Sequence, residues 1–235
     1  MVLSSAPLFL SIETATAVSS VALFREKRLI GTKEIREGNT HAQLITVIIG
    51  ELLSSCDVKP ADLSAVAVSK GPGSYTGLRV GVSAAKGLCF ALGLPLIGYG
   101  TLDALAQHVF SIEGDAPDFI IPMIDARRME VYTQVFDGKC LPLGAPTNLI
   151  IEENAFHEWL EKGKVLFVGD GVAKCKSLLE KNPNAIIRED LLCTSTITGE
   201  LIYSRFTESD FEDLVTFEPF YLKDFVATKQ KKGIL

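Results

Sequence analysis

The segment LFLSIETATAVSSVALFREKRLIGTKEIRE, residues 8–37, divides into three apolar runs joined by short polar turns. LFLSIE has the continuous apolar character of a buried strand, and SVALFRE and RLIGTKEIRE give a second and a third. Three strands in succession predict an antiparallel start to a sheet. Asn39 and Thr40 then offer helix caps ahead of HAQLITVIIGELLSS, residues 41–55, which has the length of about four helical turns. AVAVS at 65–69 predicts a central strand. A glycine-rich loop follows, then a helix over LRVGVSAAKGLCFALG (78–93), a short strand PLIGYG (95–100) and a helix TLDALAQHVF (101–110).

Past the Gly-, Asp- and Pro-bearing stretch SIEGDAPD (111–118) the order restarts. FIIPMID, MEVYTQVF and a strand near TNLII precede a helix over EENAFHEWLEKG (152–163); KVLFVGDG supplies strand and turn, and VAKCKSLLEKN (172–182) another helix. No letter-level repeat aligns the halves, yet strand, strand, strand, helix, strand, helix occurs twice. A duplicated βββαβα unit is the plan of the actin, hexokinase and Hsp70 architecture. The expected fold is therefore α/β, a two-lobed actin-like ATPase fold with lobes at residues 1–112 and 113–235. That analogy concerns fold alone and assigns no activity.

With 47% hydrophobic and 22% charged residues, the 235-residue chain has a globular composition and can bury a proper core. A net charge of −6, with Glu208, Asp210, Glu212, Asp213 and Glu218 clustered, repels phosphate, so the chain on its own carries no nucleic-acid footprint. Lys229, Lys231 and Lys232 form a basic run that reads as a solvated tail without an assigned role. Cys56, Cys89, Cys140, Cys175 and Cys193 contain no CxxC pair, which argues against a zinc site or a thioredoxin-type centre and fits reduced, cytoplasmic thiols. The apolar start VLSSAPLFLSI lacks a basic n-region, and no stretch reaches the ~20 apolar residues that span a bilayer, so no membrane partner is expected.

The segment SKGPGSYTGLRVGVSAAKG, residues 69–87, runs from strand through glycines into helix, a geometry that invites a phosphate. It lacks the Lys-Ser or Lys-Thr of a P-loop, and its spacing is GxGxxxG where a dinucleotide turn has GxGxxG. A nucleotide cradle is the weaker reading. Gly77, Gly81 and Ala85 recur every four residues, as do Ser83, Gly87 and Ala91, which leaves two thin helix faces. Glycine within a helix costs about 1 kcal/mol against alanine, so another backbone is expected to approach closely, either inside the fold or from a partner. The helix at 41–55 points to the partner reading, because Leu44, Ile45, Val47, Ile48, Ile49, Leu52 and Leu53 spread around most of its circumference. A helix apolar nearly all round is buried nearly all round. On this reading Gly81→Leu breaks the association and leaves the fold intact.

Actin-like ATPases hold phosphates on two glycine-bearing hairpins, one opening each lobe. Here the hairpins read IETATAVSSV and IDARRMEV, and neither has a glycine. Amides that all carry a Cβ neighbour cannot come as close to phosphate oxygens, and Arg127 and Arg128 can fill the space. Glu13, beside Thr14, and Asp125 remain as carboxylates, so a weak nucleotide site, and with it an actin-like kinase or ATPase, stays open as the alternative. A metallo-glycoprotease is a further alternative, opposed by histidines at 41, 108 and 157 with no local HxxxH pair. Ser74 lies outside any GxSxG and has no identifiable base. No catalytic residue, metal ligand or cofactor is expected.

SIETATAVSSVAL, HAQLI, SKGPGSYTGLRVGVSAAKGLCFALGLPLIGYGTLDALA, PMIDARRMEVYTQVF and EPFYLKDF together resemble the TsaB family, the dimerisation subunit of the bacterial machinery for tRNA threonylcarbamoyladenosine, historically labelled glycoprotease-like. The resemblance covers most of the first lobe and the hairpin opening the second, while residues 138–215 match only in pattern. It implies a non-catalytic subunit that pairs through first-lobe helices with a catalytic paralogue, joined by a small ATPase partner. Alone it forms a homodimer, and it meets tRNA only through the complex. Carried over by position, the interface is Leu44, Ile45, Ile48, Gly77, Leu78, Arg79, Gly81, Val82, Ala85 and Lys86, and the degenerate nucleotide-site hairpins are Glu13, Thr14, Asp125, Arg127 and Arg128.

Overall fold

The computed structural model describes residues 6–36, 41–112 and 117–223. The capping residues Asn39 and Thr40 and the tail lysines 229, 231 and 232 lie outside the described residues. Strands β1 (Leu8–Glu13), β2 (Ser19–Arg25) and β3 (Arg28–Ile35) form the antiparallel start, followed by α1 (His41–Ser55), β4 (Ala65–Gly71), α2 (Tyr75–Leu92), β5 (Leu96–Gly100) and α3 (Thr101–Ile112). The sheet order is β3-β2-β1-β4-β5, with β4 parallel to both β1 and β5. The second half supplies β6 (Phe119–Asp125), β7 (Glu130–Thr133), β8 (Phe136–Asp137), β9 (Thr147–Ile150), α4 (His157–Lys162), β10 (Val165–Val168), α5 (Lys176–Leu179), β11 (Ala185–Arg188) and α6 (Gly199–Thr207). Its sheet reads β11-β10-β6-β7-β9 with β8 beside β6. Read from the other edge, that is the first sheet's order and sense again, antiparallel through the opening hairpins and parallel thereafter. The duplicated actin-like fold is thus visible in the strand order.

The run LFLSIE is apolar on both faces because β1 is covered on both. Leu8, Leu10 and Ile12 meet Ile45, Ile49, Leu52 and Val82 of α1 and α2. Phe9, one pleat over, packs with Ala22, Phe24, Ile97 and Tyr99 against Leu201 and Ile202 of α6. This second layer comes from the end of the expected unit 113–235. From residue 195 onward the chain returns to the first sheet: Phe217 enters its core, Glu212 N donates to the Leu96 carbonyl at 2.8 Å, and Phe220 N donates to that of Lys70 at 2.7 Å. A sheet with a bare apolar face needs a covering layer, and the sequence-distant C-terminal segment provides it. Helix α3 leans the other way, with Leu102, Leu105 and Val109 on the core of the second sheet. The helices expected at 152–163 and 172–182 shrink to α4 and α5, and MEVYTQVF is broken between β7 and β8.

Candidate functional site

Helix α2 starts at Ser74, whose Oγ accepts from Gly77 N at 3.3 Å, and ends at Gly93 in the left-handed region at φ 66°. Its glycine row faces inward. A Cβ at Gly81 would collide with the Thr14 hydroxyl, one at Gly77 with the Thr14 carbonyl, and one at Gly73 with the Ala15 carbonyl. Ser74 N also donates to the Ala15 carbonyl at 2.7 Å. The segment that approaches α2 is therefore the chain's own β1–β2 turn, and packing within the fold accounts for Gly77 and Gly81. Gly81→Leu is expected to destabilise the fold by about 1–3 kcal/mol or more through overpacking, seen as a lowered thermal midpoint; an unchanged midpoint contradicts this packing.

The other residues carried over to the interface divide between the core and the surface. Ile45, Ile48, Val82 and Ala85 are buried in the first-sheet core, and Leu78 is buried beside Gly71. Lys86 Nζ is engaged by the Phe217 carbonyl at 2.8 Å and the Val215 carbonyl at 3.4 Å. Arg79 is exposed but lies over the Tyr75 ring and donates to Tyr221 Oη at 3.2 Å. Tyr75 and Tyr221 stack with centroids 4.8 Å apart, so the EPFYL segment is a strap tied along α2. Leu44 alone of the apolar residues named points outward.

What α1 and α2 show to solvent is a different set. Leu44 and Val47 on α1 are 37% and 49% exposed, and Phe90 near the end of α2 is 85% exposed. Gly50 and Gly87 have nothing within 4 Å of a built Cβ. Ser83, Gly87 and Ala91, the second small-residue row, are all exposed. Sequence reasoning found that row and did not distinguish it from the inward one; the signal available was the polar Ser83 beside Gly87, against the apolar Ala85 and Cys89 that line the core.

The opening hairpins are the β1–β2 and β6–β7 turns, the segments expected from the sequence to be degenerate nucleotide-site hairpins. Glu13 is wholly buried: Oε1 accepts from Ser69 Oγ at 2.6 Å and Ala15 N at 2.8 Å, and Oε2 lies 3.3 Å from both Tyr99 Oη and Cys193 Sγ. Both oxygens face protein groups and the residue is wholly buried, so Glu13 is closed to an external cation. Burial pushes its carboxyl above the ordinary glutamate range, outweighing those hydrogen bonds, and also raises the Cys193 thiol. Thr14 is buried beneath α2 with its hydroxyl unpaired. At the second hairpin Asp125 is exposed; its Oδ1 takes Lys174 Nζ at 2.5 Å and Arg127 N at 2.5 Å, and its amide donates to Asp170 Oδ1 at 3.0 Å. Arg127 and Arg128 project from the turn, both exposed. The structure thus brings Glu13 and Thr14 together as a sealed turn and Asp125, Arg127 and Arg128 as an open, cationic one.

Glu13 has a consequence for stability. Above the ordinary glutamate pKa of about 4.3 the unfolded chain releases a proton that the folded chain retains, so stability falls as pH rises until the raised folded value is passed. Glu13→Gln removes this dependence. Urea unfolding at pH 5 and pH 7 is expected to show the wild type losing stability relative to the variant at the higher pH; parallel behaviour refutes the burial of a strained carboxyl.

Comparison with known proteins places these features in context. The family model for TsaD, tRNA N6-adenosine threonylcarbamoyltransferase, matches residues 36–232. The chain is 34% identical over 177 residues to the tRNA threonylcarbamoyladenosine biosynthesis protein TsaB of Bacillus subtilis, covering 73% of this chain and 74% of that one. It is 31% identical over 232 residues to TsaB of Escherichia coli, covering 95% and 98%. The solved structure of YeaZ from Pseudomonas aeruginosa superposes with a TM-score of 0.78 at 26% identity, covering 92% of this chain and all of that one. Among the described residues no helix is long and apolar enough to cross a membrane.

Proposed function

This chain belongs to the TsaB family and has a role in tRNA threonylcarbamoyladenosine biosynthesis, and on that premise we propose that it acts without chemistry of its own, as the docking partner of a catalytic paralogue. The observation that carries the proposal is the outward face of α1 and α2, where Leu44, Val47 and Phe90 stand exposed around the open glycines Gly50 and Gly87. Exposed apolar side chains gathered on paired helices fit a protein partner better than solvent, and glycines without a neighbour let another helix come close. Binding one conformer of the paralogue more tightly shifts its population toward that conformer. The paralogue and a small ATPase partner supply nucleotide, metal and the transferred group in the cytoplasm, and tRNA is met through the complex. In the paralogue's absence a second copy of this chain covers the same face.

The sealed Glu13 and the ion-paired Asp125 support the absence of nucleotide chemistry at the two hairpins. The competing reading is an actin-like kinase or ATPase. Isothermal titration of the purified chain with ATP and magnesium, together with a steady-state hydrolysis assay, is expected to give at most weak binding and no turnover. Micromolar binding coupled to turnover establishes the ATPase reading instead.

A further inference from the structure

We propose that the β6–β7 turn is a phosphate-contact site, through which this subunit holds the tRNA backbone once it is docked on its partner; the proposal rests on the docking reading above. Arg127 and Arg128 are consecutive residues in the left-handed region, at φ 66° and 49°, where side chains other than glycine, asparagine and aspartate are uncommon. The turn is held there from several sides. Ala126 N donates to the Glu130 carbonyl at 3.1 Å, Glu130 N to the Arg127 carbonyl at 3.2 Å, and Lys174 Nζ bridges Asp125 to the Glu130 carbonyl at 3.0 Å.

Two exposed guanidiniums are thereby aimed outward from a fixed turn. Neither side chain makes a hydrogen bond or ion pair among the described residues, and the nearby carboxylates take their ion pairs from lysines, although Glu130 also feels the Arg128 charge. Asp125 is held by Lys174, and Glu130 Oε2 by Lys223 Nζ at 2.6 Å and Asn148 Nδ2 at 2.6 Å. The arginines are left as local positive charge on a chain whose formal charge is −6.

A mononucleotide is disfavoured here because a cradle between the hairpins needs both. The β1–β2 side is closed by Gly73, Gly77 and Gly81 lying on Thr14 and Ala15. Cations presented from one side only suit an extended phosphodiester, whose phosphates position a nucleic acid without reading its sequence. The overall negative charge means that the contact adds to binding surface supplied by the partner and does not suffice alone.

The test uses the one-to-one complex with the catalytic paralogue and an unmodified tRNA transcript, titrated across a salt series. Arg127→Ala/Arg128→Ala is expected to leave the complex intact by light scattering, weaken tRNA binding about tenfold near 0.1 M salt, and flatten the slope of log affinity against log salt by about two, near one per phosphate contact. Arg127→Lys/Arg128→Lys is expected to keep most of the slope, since a point charge still neutralises a phosphate. Unchanged affinity and slope in the alanine variant overturn the proposal. So does loss of the protein pair in that variant, which makes the turn a protein contact, or competition by magnesium-ATP, which makes it a nucleotide site. If the wild-type chains never pair, the docking reading fails first, and the light-scattering arm shows that separately.

Discussion

Val47→Asp is expected to convert a dimer of this chain into monomers while the far-UV circular dichroism stays unchanged. Val47 lies about halfway along α1, 49% exposed, one turn from Leu44, and Gly50 follows with open space above it. Its side chain lies outside the core that Ile45, Ile48, Ile49 and Leu52 form with the sheet and is half in solvent, so the fold tolerates its replacement. A two-fold dimer through this face presents each residue twice, and two unpaired carboxylates buried without partners cost several kcal/mol. The expected weakening is about a hundredfold or more. Gly87→Leu supplies an independent check of a different kind. Nothing in the protein meets a Cβ there, and leucine is a better helix former than glycine by nearly 1 kcal/mol, so the monomer is expected to gain stability while close helix approach is blocked. Light scattering at high micromolar concentration reads both variants. A wild-type monomer, or variants that dimerise as well as the wild type, removes this face from consideration.

Much of this architecture was legible in the amino-acid order. The helix at 41–55 has the bounds that its capping and periodicity predict, and the repeated βββαβα plan reappears as one strand order in two sheets. Periodicity reports local structure faithfully because each element is specified by neighbours a few residues apart. It reports badly which way a face points. The row Gly77, Gly81, Ala85 signalled close approach correctly, yet the approaching backbone is the Thr14–Ala15 turn more than 50 positions earlier, and nothing local tells a partner from the chain's own hairpin. The Glu13 network was hidden for the same reason: Ser69, Tyr99 and Cys193 come from positions 56, 86 and 180 residues away. The packing of residues 211–221 on the first sheet is not legible in their acidic composition, since it rests on Phe217, on the partly buried Leu214 and on backbone bonds that no side-chain pattern encodes.

The same face is expected to serve both associations, because one apolar surface cannot cover two partners at once. The paralogue should displace the self-dimer and give a one-to-one pair, and Val47→Asp and Gly87→Leu should weaken both associations in parallel. The direct measurement is mass spectrometry of nucleosides from bulk tRNA in a strain depleted of this protein. Restoring the wild-type gene is expected to restore threonylcarbamoyladenosine, while Val47→Asp, expressed at the same level and folded, is expected to leave it near the depleted level. Normal modification without the protein, or full restoration by a folded Val47→Asp chain that no longer binds the paralogue, contradicts a role that works by docking.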